Sequence, residues 1–503
     1  MDNSWALFAL LYIAALAFIS KILHNPRRPE RKLPPGPKPW PVIGNLNLIG
    51  SIPHQSLHSL SQKHGEIMLL KFGKFPVIVA SSPDMARKFL QTHDAVFASR
   101  PPLAAGKYTS YNYSDLTWAP YGPHWRQARK IYLTEVFNAK RLDSFEQIRT
   151  EESRLFISRL FSRSGQPVVL RDHLFRYTLS SISRTVLSDR YFTELSEHDE
   201  LRDMLDEWFL LSGVLNIGDW IPWLSFLDLQ GYVKKMKALA KKLDRFLSYV
   251  VDDHGARMGA EKNLVAKYLV DVLVKRAEDP NLDIKLTSDR VKALLQNLLA
   301  GGTDTSATTV EWTIHEILKQ PHIIEKAKAE LDRVIGRDRW VQENDFTQLP
   351  YIEAIIMESM RLHPLATLLA PHYALEDCNV AGYDISKGTT VFINTWSIER
   401  DPRAWDAPEK FSPERFSGKE TDMLGSNFAL LPFGSGRRRC PGYNLGLKIV
   451  RTTLANLIHG FDMRLVEGMR AEDICMEEEY GLTTHPKIPL AIIMEPTLPN
   501  HFY

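Results

Sequence analysis

The sequence predicts a mainly α protein with small β-sheets, carried on an N-terminal transmembrane helix, and three observations predict it. Trp5–Ile19, WALFALLYIAALAFI, is uninterrupted apolar sequence. From Thr287 to Pro321 an apolar pattern of helical spacing continues for about 30 residues, roughly 45 Å of helix. The rest of the body reads as helix with strand patches, with no internal repeat and no long low-complexity linker.

With Ser20–Leu23 the apolar run approaches the roughly 20 residues that span a bilayer. Asp2 precedes it, and Lys21, Arg27, Arg28, Arg31 and Lys32 follow it. By the positive-inside rule the body stays in the cytosol. A cleaved secretory signal would carry its positive charges ahead of the run and a small-residue cleavage site behind it, and neither is evident. Residues 1–24 are therefore expected to form a single-pass anchor. Residues 25–45 are expected to form a basic, proline-rich hinge, because Pro34, Pro35, Pro37, Pro39 and Pro41 favour a stiff, extended chain. Residues 46–503 make up the body.

Within the body, Trp125 and Arg129 stand four apart on one helix. Asp219–Gly231 is unusually aromatic and suits either core or a membrane-dipping segment. The long helix begins at Thr287 and Ser288, which are capping residues, and Pro321 stops it. Its centre, Ala300–Ser306, reads AGGTDTS. Two glycines cost a helix roughly 2 kcal/mol relative to alanines. Two helices around a glycine cap are one reading. One helix with a local widening is favoured, because Val310, Ile314, Ile317 and Leu318 resume the pattern at once, and such widenings mark functional sites. It would set Asp304 and Thr305 beside a cavity. On the next helix Glu358 and Arg361 share a face at i,i+3, which alone is common surface decoration. Arg415 follows in a proline-interrupted stretch.

Phe433–Gly446, FGSGRRRCPGYNLG, places Cys440 behind three arginines. The chain has three cysteines, Cys378, Cys440 and Cys475, and no CxxC pair, so neither a disulfide framework nor a cysteine-pair metal site is available. Cys440 is then structural, a nucleophile or a single metal ligand. The arginines favour its thiolate, and the glycines let the backbone turn tightly. A net charge of +2, from 62 basic and 60 acidic residues, lacks the basic excess of a nucleic-acid binder.

Taken in order, Trp125…Arg129, Gly-Gly-Thr-Asp-Thr, Glu-x-x-Arg, Pro-Glu-Arg-Phe and Phe-x-x-Gly-x-Arg-x-Cys-x-Gly resemble the haem-thiolate monooxygenases, the cytochromes P-450. The likeness runs from the hinge at Leu33 to about Pro489. LPPGPKPWPVIGNL and RDPRAWDAPEKFSPERF are similar to the plant endoplasmic-reticulum branch, in its specialised-metabolism clan, among members labelled flavonoid hydroxylases or homoterpene synthases. The resemblance implies that Cys440 is the axial thiolate of a haem b iron. It implies that Trp125, Arg129 and Arg438 contact the haem propionates, and that Phe433 and Gly442 shape the loop around the cofactor. Gly301 and Gly302 would open room for O2, and Asp304 and Thr305 would relay protons. Glu358, Arg361 and Arg415 would form a buried ion network. Where many relatives carry a propionate-binding arginine, this chain reads Ala370-Pro371-His372.

The implied activity is insertion of one atom of O2 into a small hydrophobic plant metabolite, terpenoid or phenolic. NADPH–cytochrome reductase would supply electrons at the face near Cys440, and membrane lipid would hold the anchor. The expected pocket wall is Ala104–Trp118, Leu298–Thr305, Leu365–Leu369 and Leu482–Thr484. A haem-thiolate isomerase or dehydratase of hydroperoxides is the alternative, although it needs no proton relay. A membrane-tethered haem sensor is the remote one.

Overall fold

Ile67–Phe72 (β1) and Phe75–Ala80 (β2) are apolar runs joined by a tight turn in which Gly73 takes φ +54°. They pair antiparallel, Ile67 opposite Ala80 and Phe72 opposite Phe75. The structure is a computed structural model that describes residues 31–188, 191, 195–260, 266–417, 423 and 427–503. The expected anchor and the first residues of the hinge lie outside the described residues. Among the described residues no helix is long and apolar enough to cross a membrane.

The elements that build the site follow in chain order. They are Ala104–Thr109 (α1), Pro123–Ile131 (α2), Pro167–Val169 (β3), Leu170–Val186 (α3), Leu195–Gly213 (α4) and Tyr232–Ala260 (α5). Next come Ser288–Lys319 (α6), Pro350–Leu362 (α7), His372–Tyr373 (β4), Thr390–Ile393 (β5) and Tyr443–Gly460 (α8). The chain closes with Phe461–Leu465 (β6), Glu478–Tyr480 (β7), Thr484–Pro486 (β8) and Ala491–Pro496 (β9). One sheet runs β1-β2-β5-β4, with β5 parallel to β2 and β4 antiparallel to β5. A second runs β3-β9-β6, and β7 and β8 form a hairpin.

Helix α6 is the axis of the body. It packs against α3, α5, α7 and α8, and nearly every side chain from Val291 to Leu318 is buried. Thr287 caps it, its hydroxyl accepting from Arg290 N at 3.4 Å. The expected widening at Ala300–Ser306 is absent, and the helix stays α-helical throughout. Two local features accompany the regular helix. Thr303, Thr305, Thr309 and Thr313 each donate their hydroxyl to the carbonyl four residues back, at 2.7–2.8 Å. These hydroxyls are thereby satisfied inside the helix without opening it. Gly302 lets α3 approach, since a Cβ there would stand 2.4 Å from Ile182 Cδ1.

The aromatic segment after α4 is split between two environments. Trp220 and Ile221 are buried, whereas Trp223 and Phe226 are 63% and 80% exposed. Asp219 fixes its base by accepting from Ala104 N at 2.8 Å, at the start of α1.

Candidate functional site

A cavity of about 350 Å³ lies between α6 and the segment Pro432–Gly446 that leads into α8. Cys440 is on its floor. The floor turns at Gly436, φ +68°, where a Cβ would stand 2.1 Å from Leu90 O, so only glycine fits. Cys440 N donates to Phe433 O at 2.9 Å, closing the loop, and Gly442 lies against the Phe137 ring.

The arginine triplet does not act on the sulfur as a unit. Arg437 pairs with Asp94 at 3.0 Å. Arg438 is consumed by carbonyls, donating to Ala98 O and Ala119 O at 2.6 Å and to Leu116 O at 3.2 Å. Burial pushes the Cys440 thiol up, against the Gly442 N–H and the charges of Arg129 and Arg439. The expectation of a thiolate held by three arginines is corrected on this point. Protein charge alone does not ionise this thiol, whereas a coordinated metal deprotonates one outright. Cys378 and Cys475 stand away from the cavity.

One end of the cavity is cationic. Arg438 lies 4.4 Å from the centroid of the Trp125 ring, and Arg129 6.0 Å. Trp125 is fixed by its own Nε1–H, which donates to Leu116 O at 3.1 Å. Arg100 joins them, donating to Thr117 O, Ala370 O and Pro371 O at 2.6–3.0 Å. Among the described residues none of these three arginines is ion-paired with a carboxylate. Burial, with Arg100 beside it, pulls Arg438 down to about 8, and burial pulls Arg100 down to about 10. Such a cluster is costly unless anions compensate it. His372 closes this end. Its Nδ1 sits 2.9 Å from Phe97 O, and burial and then Arg100 pull it down to about 3.

These residues fit a haem. The sulfur on the floor would ligate the iron, the apolar slot would take a large planar ring, and the cations at one end, short of ion-pair partners among the described residues, would suit two carboxylates.

Under the floor the structure joins Glu358, Arg361 and Arg415. Arg361 grips Glu358 with two N–H groups at 2.8 and 2.9 Å, and Arg415 Nε reaches the same carboxylate at 2.9 Å. Arg361 also donates to Glu399 O and Pro408 O, at 2.7 and 2.8 Å. Glu358 and Arg361 are fully buried, so the surface-pair reading of this spacing gives way to a scaffold.

On the distal side Gly301 and Thr305 line the cavity, and a Cβ on Gly301 would enter open space. Asp304 does not line it. Its carboxylate turns instead to Thr483 and His485, at 2.7 and 2.6 Å. The pocket wall also differs from expectation. Leu365, Leu369 and Thr483 border the main cavity, whereas Leu368 and Leu482 border a second one of about 40 Å³. Only Leu369 of these touches both. Arg100 and His485 carried no motif in the sequence. The signal for Arg100 was an arginine ahead of Pro101-Pro102 with no nearby acid, and for His485 there was none.

Residues 34–491 match the family described as Cytochrome P-450. The chain is 45% identical to a trimethyltridecatetraene synthase of Zea mays, over 99% of this chain and 95% of that one. It is 42% identical to a flavonoid 3'-monooxygenase of Petunia hybrida, over 99% of each. Among solved structures it is similar to a zebrafish cytochrome P-450 with progesterone, with TM-score 0.76 and 26% identity over 88% of this chain and 99% of that one.

Proposed function

This chain belongs to the cytochrome P-450 family, and we propose that it oxygenates a hydrophobic plant metabolite of the terpenoid or phenolic class. It is an oxygen-incorporating oxidoreductase whose cofactor is haem b. The observation that carries the reading is Cys440 on the floor of a cavity whose end holds three guanidinium groups that, among the described residues, form no ion pair with a carboxylate. Bound haem supplies the chemistry: with two electrons and two protons it splits O2, leaving one oxygen atom in the product and one in water.

The chain's own residues hold and orient. Cys440 would ligate the iron, and Arg100, Arg129, Arg438 and Trp125 would hold the propionates. A propionate beside His372 would favour its cation and let Nε2 donate, since Nδ1 already faces a carbonyl. Glu358, Arg361 and Arg415 would keep the floor rigid. Gly301 leaves distal space for O2, and Gly302 lets α3 close against α6. Thr305 and Asp304 would manage protons. Leu298, Leu365 and Leu369 suit an apolar guest.

In this reading residues 1–24 anchor the chain in the endoplasmic-reticulum membrane, residues 25–45 are the hinge, and residues 46–503 face the cytosol. Two surface features support a membrane-facing side. Gly73 N donates to Ile43 O at 3.1 Å, at the end of the hinge. Gly73 also packs against Trp220, where a Cβ would stand 2.0 Å from the carbonyl. The hinge and the exposed Trp223–Phe226 tip therefore share one side of the body. NADPH–cytochrome reductase would dock opposite, near Cys440.

The test is reconstitution with the reductase, NADPH and panels of terpenoids and flavonoids, with products analysed. Turnover should need both NADPH and O2. Cys440→Ser should abolish the red-shifted absorption band of the reduced CO complex, since an alcohol does not replace thiolate donation. A retained band would remove Cys440 from the iron. Turnover with neither NADPH nor O2 would favour the hydroperoxide isomerase.

A further inference from the structure

Asp304 is buried, and its contacts lead in two directions. Thr483 Oγ1 donates to its Oδ2 at 2.7 Å, and Thr483 lines the cavity. His485 Nε2 stands 2.6 Å from its Oδ1. His485 does not line the cavity, yet 23% of its side chain is exposed. An imidazole, a carboxylate and a hydroxyl thus run in unbroken hydrogen-bond contact from the outside to the cavity. We propose that His485, Asp304 and Thr483 form a proton conduit, with His485 as the solvent port and Thr483 as the cavity-side donor.

Each member of the pair favours the charged form of the other. Burial pushes His485 down, but the charge and hydrogen bond of Asp304 outweigh it and hold the ring above its ordinary value. Burial pushes Asp304 up, but His485, Thr483 and Thr308 outweigh it and hold the carboxyl below the usual range. The other charges facing the pair come from three helices. On α3, Arg171 is paired with Glu311 of α6 at 2.8 Å, so the two largely cancel. On α4, Asp206 is pushed up to about 6 by burial and then by Asp304, with Arg202 and Asp203 beside it. Asp206 adds, as a smaller effect, to the hold of Asp304 on the imidazolium.

The step moves one proton and no electrons. His485 gives its Nε2 proton to Asp304 Oδ1, breaking one N–H bond and forming one O–H bond. A half-turn of the carboxyl presents that O–H to Thr483 Oγ1, which accepts it and releases its own proton into the cavity. A proton from solvent restores the imidazolium. His485 acts through Asp304 and is a positioning residue; a plain staple between β8 and α6 would show the same distances but move no proton.

This inference rests on the monooxygenase reading, and its test separates the two. In the full-length holoenzyme, NMR of labelled histidine follows the titration of His485, assigned by its loss in His485→Gln. Asp304→Asn should lower that midpoint by about one to three pH units. An unmoved midpoint overturns the pair. With a substrate in hand, product per NADPH is then measured against pH. Wild type should lose coupling as pH rises through the His485 midpoint, and His485→Gln should lack that limb. Thr483→Val should lower the ratio roughly tenfold at every pH, with Thr483→Ser restoring it. NADPH-dependent turnover in which His485→Gln keeps the wild-type limb, or Thr483→Val keeps the wild-type ratio, overturns the conduit alone. Turnover without NADPH overturns both.

Discussion

Glu358 and Asp304 are both buried carboxylates on helices that flank the cavity, and they are held in opposite ways. Glu358 meets two arginines, and the N–H groups left over on Arg361 go to backbone carbonyls. Two guanidinium forks grip it from fixed directions, so this contact has one arrangement. Asp304 meets a histidine and a threonine. Imidazole titrates near neutrality, so that contact has two. The difference teaches that the partner, rather than the depth of burial, decides whether a buried acid is a scaffold or a switch.

The largest way to break the comparison is Glu358→Gln. It keeps the shape, removes the charge and strands two buried cations. It should cost about 3–5 kcal/mol and most of the bound haem, equally at pH 6 and pH 9. Thermal unfolding and haem content measure it. A loss that varies steeply with pH would show that this network titrates too.

Asp304→Asn should cost less, and its cost should depend on pH. The sign follows from both partners. His485 is raised, so its contribution is complete below about pH 6.5 and lost as pH climbs through the folded value. Asp304 is lowered, so its contribution is complete above about pH 3.9 and lost as pH falls through the folded value. The melting-temperature gap between wild type and Asp304→Asn should therefore be wider at pH 6 than at pH 9. An equal gap at both would reduce the pair to a second scaffold.

The smallest effect sharpens the distal wall. Gly302→Ala should destabilise by about 1–3 kcal/mol through overpacking on Ile182. Gly301→Ala, in open space, should be neutral or gain up to about 1 kcal/mol of helix propensity. Chemical denaturation of the two variants compares them.

What the sequence made legible were contacts that local spacing or a short motif encodes. The i,i+3 pair of Glu358 and Arg361, the capped start of α6 and the glycine turn before Cys440 are of this kind. What it hid depends on chain segments brought together by folding. Asp304 and His485 are 181 residues apart, and nothing near either announces the other. Arg100 reaches the cavity because Ala370 and Pro371 offer it carbonyls across the fold. The triplet Arg437–Arg439 was legible as charge and misleading as chemistry, because each side chain found a different partner. The glycine pair suggested a distorted helix, yet the helix stays regular, with the threonine hydroxyls bonded four residues back inside it.

The contact between Gly302 and Ile182 also sets an order on how this chain can diverge. A side chain at position 302 meets the outermost carbon of Ile182 first. A descendant that shortens residue 182 to alanine would lose both carbons, Cδ1 and Cγ1, that a Cβ at position 302 would meet at 2.4 and 2.7 Å, and would open position 302 to alanine. The reverse order passes through the strained intermediate. The two positions, 120 residues apart in the chain, are thus coupled through one contact. Ile182→Ala and Gly302→Ala should together cost less than the sum of the two alone, which a double-mutant cycle would read directly.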